Sequence, residues 1–165
     1  MHEKRMRIYL DDHLSMIVGE MELIERSLNS NRHSGLGSFL KQFLSDLRIQ
    51  KEIVEKVFQC LEFEVSIQGQ LKQGAAWLAE KIGRFKLNDS LLEYSDLSRV
   101  VELEAMLAVA QERIALWVTL NSLTITDVRL KDFDFSLILM QSELQLAELK
   151  THHHSAITNA FASNH

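Results

Sequence analysis

Apolar side chains recur along this chain at intervals of three and four residues, the spacing that lines one face of an α-helix. The pattern is cleanest near the start. Leu10, Leu14, Ile17, Val18, Met21, Ile24 and Leu28 form one stripe, and Asp12, Ser15, Gly19, Glu22 and Arg26 fall on the other side. This predicts a first helix from about Arg7 to about Leu28. The run Asn29-Ser30-Asn31-Arg32-His33-Ser34-Gly35 then interrupts it with turn-forming residues. A second helix begins near Leu36 and continues through Phe39, Leu40, Phe43, Leu44, Leu47, Val54, Val57, Phe58 and Leu61. With a connection of only about six residues, the two are expected to pack as antiparallel neighbours.

Two later segments carry apolar residues on two sides. A third helix is expected to start at Ser95-Asp96, a capping serine followed by a first-turn acid, and to run to about Leu120. Val100, Leu103, Leu107, Ile114 and Val118 form one stripe, and Ala105, Val109, Leu116, Leu120 and Leu123 form a second. A fourth helix, from about Asp132 to about Ala160, places Phe133, Leu137, Leu144 and Ala147 on one face and Phe135, Leu139, Leu146 and Ile157 on another. A helix apolar on two sides is covered on both. The extra stripes are therefore read as packing against a second subunit, giving a homodimer through helices 3 and 4, or against the segment that joins helices 2 and 3.

That joining segment, about residues 65–94, is some 30 residues long, far more than a tight connection needs. Within it Ala75 to Gly83 reads as a short amphipathic helix. A helix of about 26 residues spans roughly 39 Å at 1.5 Å per residue. The segment is long enough to return along that length, so helix 3 can run parallel to helix 2. The expectation is one all-α domain over residues 1–165, a four-helix bundle with a long helical crossover. Its up-down-down-up order is that of ferritin-like bundles.

Composition narrows the function classes. The 165 residues carry 18 basic and 23 acidic side chains, a net charge of −5 that provides no general attraction for nucleic acid. One cysteine excludes a disulfide framework within the chain and a thiolate zinc site. The absence of proline, with only six glycines, argues against a turn-rich β protein. No apolar run reaches membrane-span length, and the charged Met1–His13 segment is unlike a signal peptide, so a cytoplasmic location without membrane association is expected.

Three groups of residues carry potential chemistry. Glu25 lies in the first stripe with Glu20 at its edge, Glu104 lies on the third helix and Glu148 on the fourth. In an up-down-down-up bundle these acids would reach similar heights, the way carboxylate bundles hold two iron or manganese ions. Such sites also need Glu-x-x-His, which this chain lacks: Thr151 follows Glu148 at that spacing. A carboxylate remnant would suit one hard cation such as Mg²⁺, but the expectation is no resident cofactor, with the acids instead reaching the bundle ends or pairing with Lys51, Arg48 or Arg113. His152, His153 and His154 point about 100° apart on a regular helix, which suits only opportunistic metal capture. Lys72, Lys81, Arg84 and Lys86 gather near Trp77 and Phe85, a possible landing surface for an acidic partner or polyanion. Cys60, beside Phe58 and Leu61, reads as a small hydrophobe, and no nucleophile motif or phosphate loop is present.

The run Gly74-Ala75-Ala76-Trp77-Leu78-Ala79-Glu80-Lys81-Ile82-Gly83-Arg84-Phe85-Lys86-Leu87-Asn88, then Ser90-Leu91-Leu92 and Ser95-Asp96-Leu97-Ser98, resembles a family of bacterial all-helical proteins with no assigned activity. Tyr9-Leu10-Asp11-Asp12-His13-Leu14 is similar to the opening of their first helix. Where members often have proline after the serine, Asp96 stands here. The resemblance implies a helical, ferritin-like bundle in a bacterial cytoplasm and brings no catalytic residues. The expected function is non-catalytic, a protein-interaction or stress-related accessory role with an unknown protein partner. The alternatives are a carboxylate metal-binding or redox protein and polyanion binding through the crossover.

Overall fold

The computed structural model describes residues 1–64 and 94–162. Among these the chain forms four α-helices: α1 (Glu3–Asn31), α2 (Gly35–Cys60), α3 (Asp96–Leu123) and α4 (Phe135–Phe161). A 3-10 turn at Val128–Leu130 precedes α4. No strand occurs among the described residues.

Each helix starts where a side chain can accept a hydrogen bond from an otherwise unpaired backbone N–H. Ser34 caps α2 by accepting from the Gly37 amide, Ser95 caps α3 by accepting from Ser98, and Asp134 caps α4 by accepting from Leu137. The fourth helix therefore begins at Phe135, two to three residues later than its apolar pattern suggests. The first helix extends the other way, starting at Glu3 on a His2 cap. At the end of α2, Glu62 adopts φ 60°. The Phe63 amide then donates to the Phe58 carbonyl at 2.9 Å, and the Glu62 amide to Gln59 at 3.1 Å. The Phe58 and Phe63 rings meet edge to face at 6.5 Å. This pair of reversed hydrogen bonds with an apolar clasp is a Schellman stop.

Cross-helix contacts fix the helix directions. Tyr9 bonds Thr119, Glu20 bonds Arg113, Arg26 lies beside Glu102, and Asn31 bonds Arg99, so α1 and α3 are antiparallel. Phe39 packs on His152, Gln145 bonds Asp46, and Gln50 bonds Gln141, so α2 and α4 are antiparallel as well. With α1 up, the helices run up, down, down, up. The end of α2 and the start of α3 consequently lie at opposite ends of the bundle, as the length of the intervening sequence predicts. Trp77 and the basic residues Lys72, Lys81, Arg84 and Lys86 lie outside the described residues.

The core is divided into two apolar layers. The upper joins Leu23, Ile24, Leu40, Phe43, Leu47, Leu103, Met106, Ala110 and Leu149. The lower joins Leu10, Leu14, Ile17, Val54, Phe58, Leu116, Trp117, Leu120 and Phe135. Most of the second stripe expected on helix 3 is spent here: Val109, Leu116 and Leu120 are buried within the bundle, while Val118 of the first stripe is 47% exposed. A broad buried face takes in most of both stripes. Helix 4 differs. Its Leu146 and Leu149 are buried, while Leu137 is 56% and Leu144 65% exposed.

The turn between α1 and α2 depends on one glycine. A Cβ at Gly37 would lie 2.1 Å from the Asn31 carbonyl oxygen, which is backbone and cannot rotate away. Gly37→Ala is therefore expected to lower stability by about 1–3 kcal/mol, the range of overpacked sites, as read by chemical denaturation. Gly35, with open space around its Cβ position, provides the neutral control.

Candidate functional site

Between the two apolar layers lies a layer of buried polar side chains supplied by all four helices. Arg113 of α3 is at its centre, 1% exposed. Its Nε donates to Glu20 Oε2 of α1 at 3.0 Å, and Nη2 lies 3.5 Å from Glu20 Oε1. Its Nη1 donates to Gln50 Oε1 of α2 at 2.8 Å and to Ser142 Oγ and Gln145 Oε1 of α4 at 2.9 and 3.1 Å. The guanidinium carbon sits 5.3 Å from the Phe43 ring centre, a cation–π contact that covers one face of the charge.

The amides around this ion pair are oriented by their own second bonds. Gln50 Oε1 also accepts from Trp117 Nε1 at 3.2 Å, and its Nε2 donates to Gln141. Gln145 turns its carbonyl to Arg113 and its Nε2 to Asp46 Oδ2 at 2.9 Å. Ser142 accepts from Arg113 and donates to the Ile138 carbonyl at 2.8 Å. Donors meet acceptors throughout, which is the condition under which a buried polar network is tolerated. Glu20 is fully buried. Burial pushes its carboxyl up from the ordinary value, opposed by the Arg113 charge and hydrogen bonds.

A second polar cluster joins the upper ends of α1 and α3. The Tyr94 hydroxyl donates to Glu102 Oε2 at 3.0 Å, Asn31 Nδ2 donates to the Tyr94 oxygen, and Arg99 Nε donates to Asn31 Oδ1. Burial and the Glu102 charge raise the Tyr94 phenol above its usual range. On the lower half of α1, His13 is buried with its ring 4.3 Å from Tyr9, edge to face. Burial holds its pKa below the ordinary 6.5 against the opposing charges of Glu112 and Asp12. It is a packing residue.

The acids that a metal site would have needed together, Glu20 or Glu25 with Glu104 and Glu148, do not converge; as the pairing reading expects, Glu20 meets Arg113 and Glu25 lies opposite Arg48. Glu20 alone enters the interior. Glu25 is exposed opposite Arg48, Glu104 is exposed beside His153 Nε2 at 3.4 Å, and Glu148 is exposed near His152. The consecutive histidines diverge as helical geometry requires: His152 packs on Phe39 of α2, His153 approaches Glu104 of α3, and His154 is exposed. No group of three or more His, Cys, Asp or Glu comes together among the described residues. The interior donor set does not fit the paired metal ions of a ferritin-like bundle either. The polar layer offers one carboxylate, Glu20, already matched to a guanidinium that supplies the positive charge at that position, and the buried acids Glu102 and Asp11 lie outside that layer. Cys60 is exposed rather than packed among Phe58 and Leu61, because it faces away from the stripe at the last turn of α2.

Arg113 is one of the pairing partners expected for the acids and takes Glu20, while Gln50, Ser142, Gln145 and Trp117 are the interior residues that sequence reasoning passes over, although a signal exists. Each apolar stripe has a polar interruption at the middle of its helix: Glu20 between Ile17 and Ile24, Gln50 between Leu47 and Val54, Arg113 between Ala110 and Trp117, and Ser142 between Phe135 and Leu149. Compared with protein families, curated proteins and solved structures, the chain matches none.

The layer makes two predictions. Removing one partner leaves an uncompensated buried charge, so Glu20→Met and Arg113→Met should each cost about 3–5 kcal/mol. The double variant Glu20→Met with Arg113→Met should cost far less than their sum, a coupling that urea denaturation of the four proteins measures. The second concerns pH. A carboxyl raised by folding binds its proton more readily in the native state. Its contribution to stability therefore falls as pH rises from the ordinary 4.5 through the raised native value. The fall should be present in the native chain and absent in Glu20→Gln when the two are unfolded by urea at successive pH values.

Proposed function

We propose that this chain is a non-catalytic helical-bundle protein that acts by binding another protein through the outer face of α4. One observation carries the reading. Leu137, Met140 and Leu144, at 56%, 52% and 65% exposure, form an apolar strip on the outside of α4, and Ile49 of α2, at 55%, lies across the seam from it. Contiguous exposed apolar groups of this kind mark interaction sites. The buried polar layer, by contrast, is saturated with internal partners and keeps no donor or acceptor aimed at a substrate.

The helix directions suit the one-crossover arrangement of ferritin-like bundles, which supports an architectural relation to them. We extend the proposal to a bacterial, cytoplasmic accessory protein, for which the crossover sequence offers a resemblance alone; the stress-related role is part of the proposal without support from that resemblance. Among the described residues no helix is long and apolar enough to cross a membrane.

A photoreactive residue placed at position 144, compared with one at exposed Glu22 on α1, tests the reading in cells that make the protein. Discrete adducts at 144, absent at 22 and reduced several-fold by Leu137→Glu, are expected. Equal labelling at both positions, or none at 144, would overturn it.

A further inference from the structure

We infer that the occupant of the α2–α4 face is a second copy of the chain, docked about a two-fold axis parallel to the helices so that α4 of each copy lies against α2 of the other. This rests on the interaction reading of the same face and goes further by naming the partner and its register.

The argument begins with heights along the bundle. Phe39 with His152, Asp46 with Gln145 and Gln50 with Gln141 set an unbroken antiparallel register between α2 and α4. In that register Ile49 is level with Ser142 and Ile53 with Ile138, so both fall within the height spanned by Leu137 and Leu144. Ile49 is exposed and Ile53 half-buried on the flank of α2 that adjoins α4. The apolar groups of the two helices thus form one patch at one height.

Charge then chooses the axis. The flank of α4 that borders α2 carries the exposed acids Asp134 and Glu148, and the outer side of α2 carries the exposed bases Lys41 and Lys56 with one exposed acid, Glu52, between them. Neither lysine has an ion-pair partner among the described residues. An axis parallel to the helices keeps every residue at its own height while exchanging α2 for α4 across the interface. Glu148 then comes within two residues' rise of the partner's Lys41, and Asp134 within one residue's rise of the partner's Lys56. The strip Leu137, Met140 and Leu144 falls on the partner's Ile49 and Ile53. An axis perpendicular to the helices would instead set α4 on α4 and α2 on α2, acids against acids and lysines against lysines, which is unfavourable. A two-fold contact uses the same patch twice, so each of these pairings is made twice.

Sedimentation equilibrium of the full chain tests this. The native chain should show a reversible equilibrium reaching twice the 19.0 kDa chain mass at tens of micromolar. Leu144→Glu, an exposed position whose change leaves the helical circular dichroism intact, should weaken association about tenfold or more. Glu148→Lys should weaken it several-fold, and adding Lys41→Glu to that variant should restore it. A native chain monomeric at 100 µM, or a dimer indifferent to Leu144→Glu, would overturn the proposal. So would a dimer that Glu148→Lys weakens and the added Lys41→Glu does not restore. A monomer that still gives adducts at position 144 with a different protein would overturn the second copy alone and leave the interaction reading standing.

Discussion

The Glu20–Arg113 ion pair is the constraint on which the rest of this bundle depends. Two apolar layers above and below it would tolerate sliding of one helix past another, because hydrophobic burial has no preferred direction. A guanidinium bonded at once to α1, α2 and α4 does not tolerate it: a shift of one helical turn in any helix would leave at least one buried group without its partner. An ion pair of this kind adds little net stability compared with an apolar replacement. Its contribution is to make misaligned packings expensive, and so to select one register from several of similar apolar content.

That role explains the arrangement of neighbouring residues. Gln50 and Gln145 each present a carbonyl to Arg113 and an amide group to a second acceptor, Gln141 and Asp46 respectively. Either amide, flipped, would set donors against the guanidinium. Trp117 reinforces the correct orientation by donating to the Gln50 carbonyl from the other side. The same layer displaces the metal chemistry that inward carboxylates invite. A central cation is already supplied by the protein, covalently attached and matched to the Glu20 carboxylate.

Much of the architecture is legible in the sequence because it rests on local rules. The first two helices, the turn between them, the Ser95 cap and the parallel placement of α2 and α3 follow from periodicity and connection length. What is not legible depends on alignment between helices. Glu20 stands out as an acid at a stripe's edge and Arg113 as one of three bases that could pair with it, yet which of them does so, and that the pair is buried, is settled only when α1 and α3 are set side by side. The third helix reads as two stripes because Val109 and Leu116 pack toward α1 while Leu103 and Ile114 lie on the other flank of the same broad face. Glu25, Glu104 and Glu148 satisfy the helical spacing for convergence, but spacing fixes only a direction on one helix, and those directions prove to point outward.

The fourth helix carries the functional argument because its amphipathicity is partly inverted. Ser142 and Gln145 turn inward to meet Arg113, while Leu137, Met140 and Leu144 turn outward. The exchange follows from the polar layer itself: once α4 must deliver two hydrogen-bonding groups to the centre, its rotation about its own axis is set, and the apolar residues on its opposite side have no bundle surface to meet. Full burial of such a side chain is worth about 1.5–3 kcal/mol, so the outer strip leaves a substantial driving force unspent. The contacts from α2 to α4 described above are two amide hydrogen bonds and a ring contact, with Ile53 and Ile138 only half-buried beside them. A partner seated there would supply the missing apolar cover for the seam. The interior ion pair and the exposed strip are in this sense one feature, the first fixing the rotation of α4 and the second being what that rotation leaves outside.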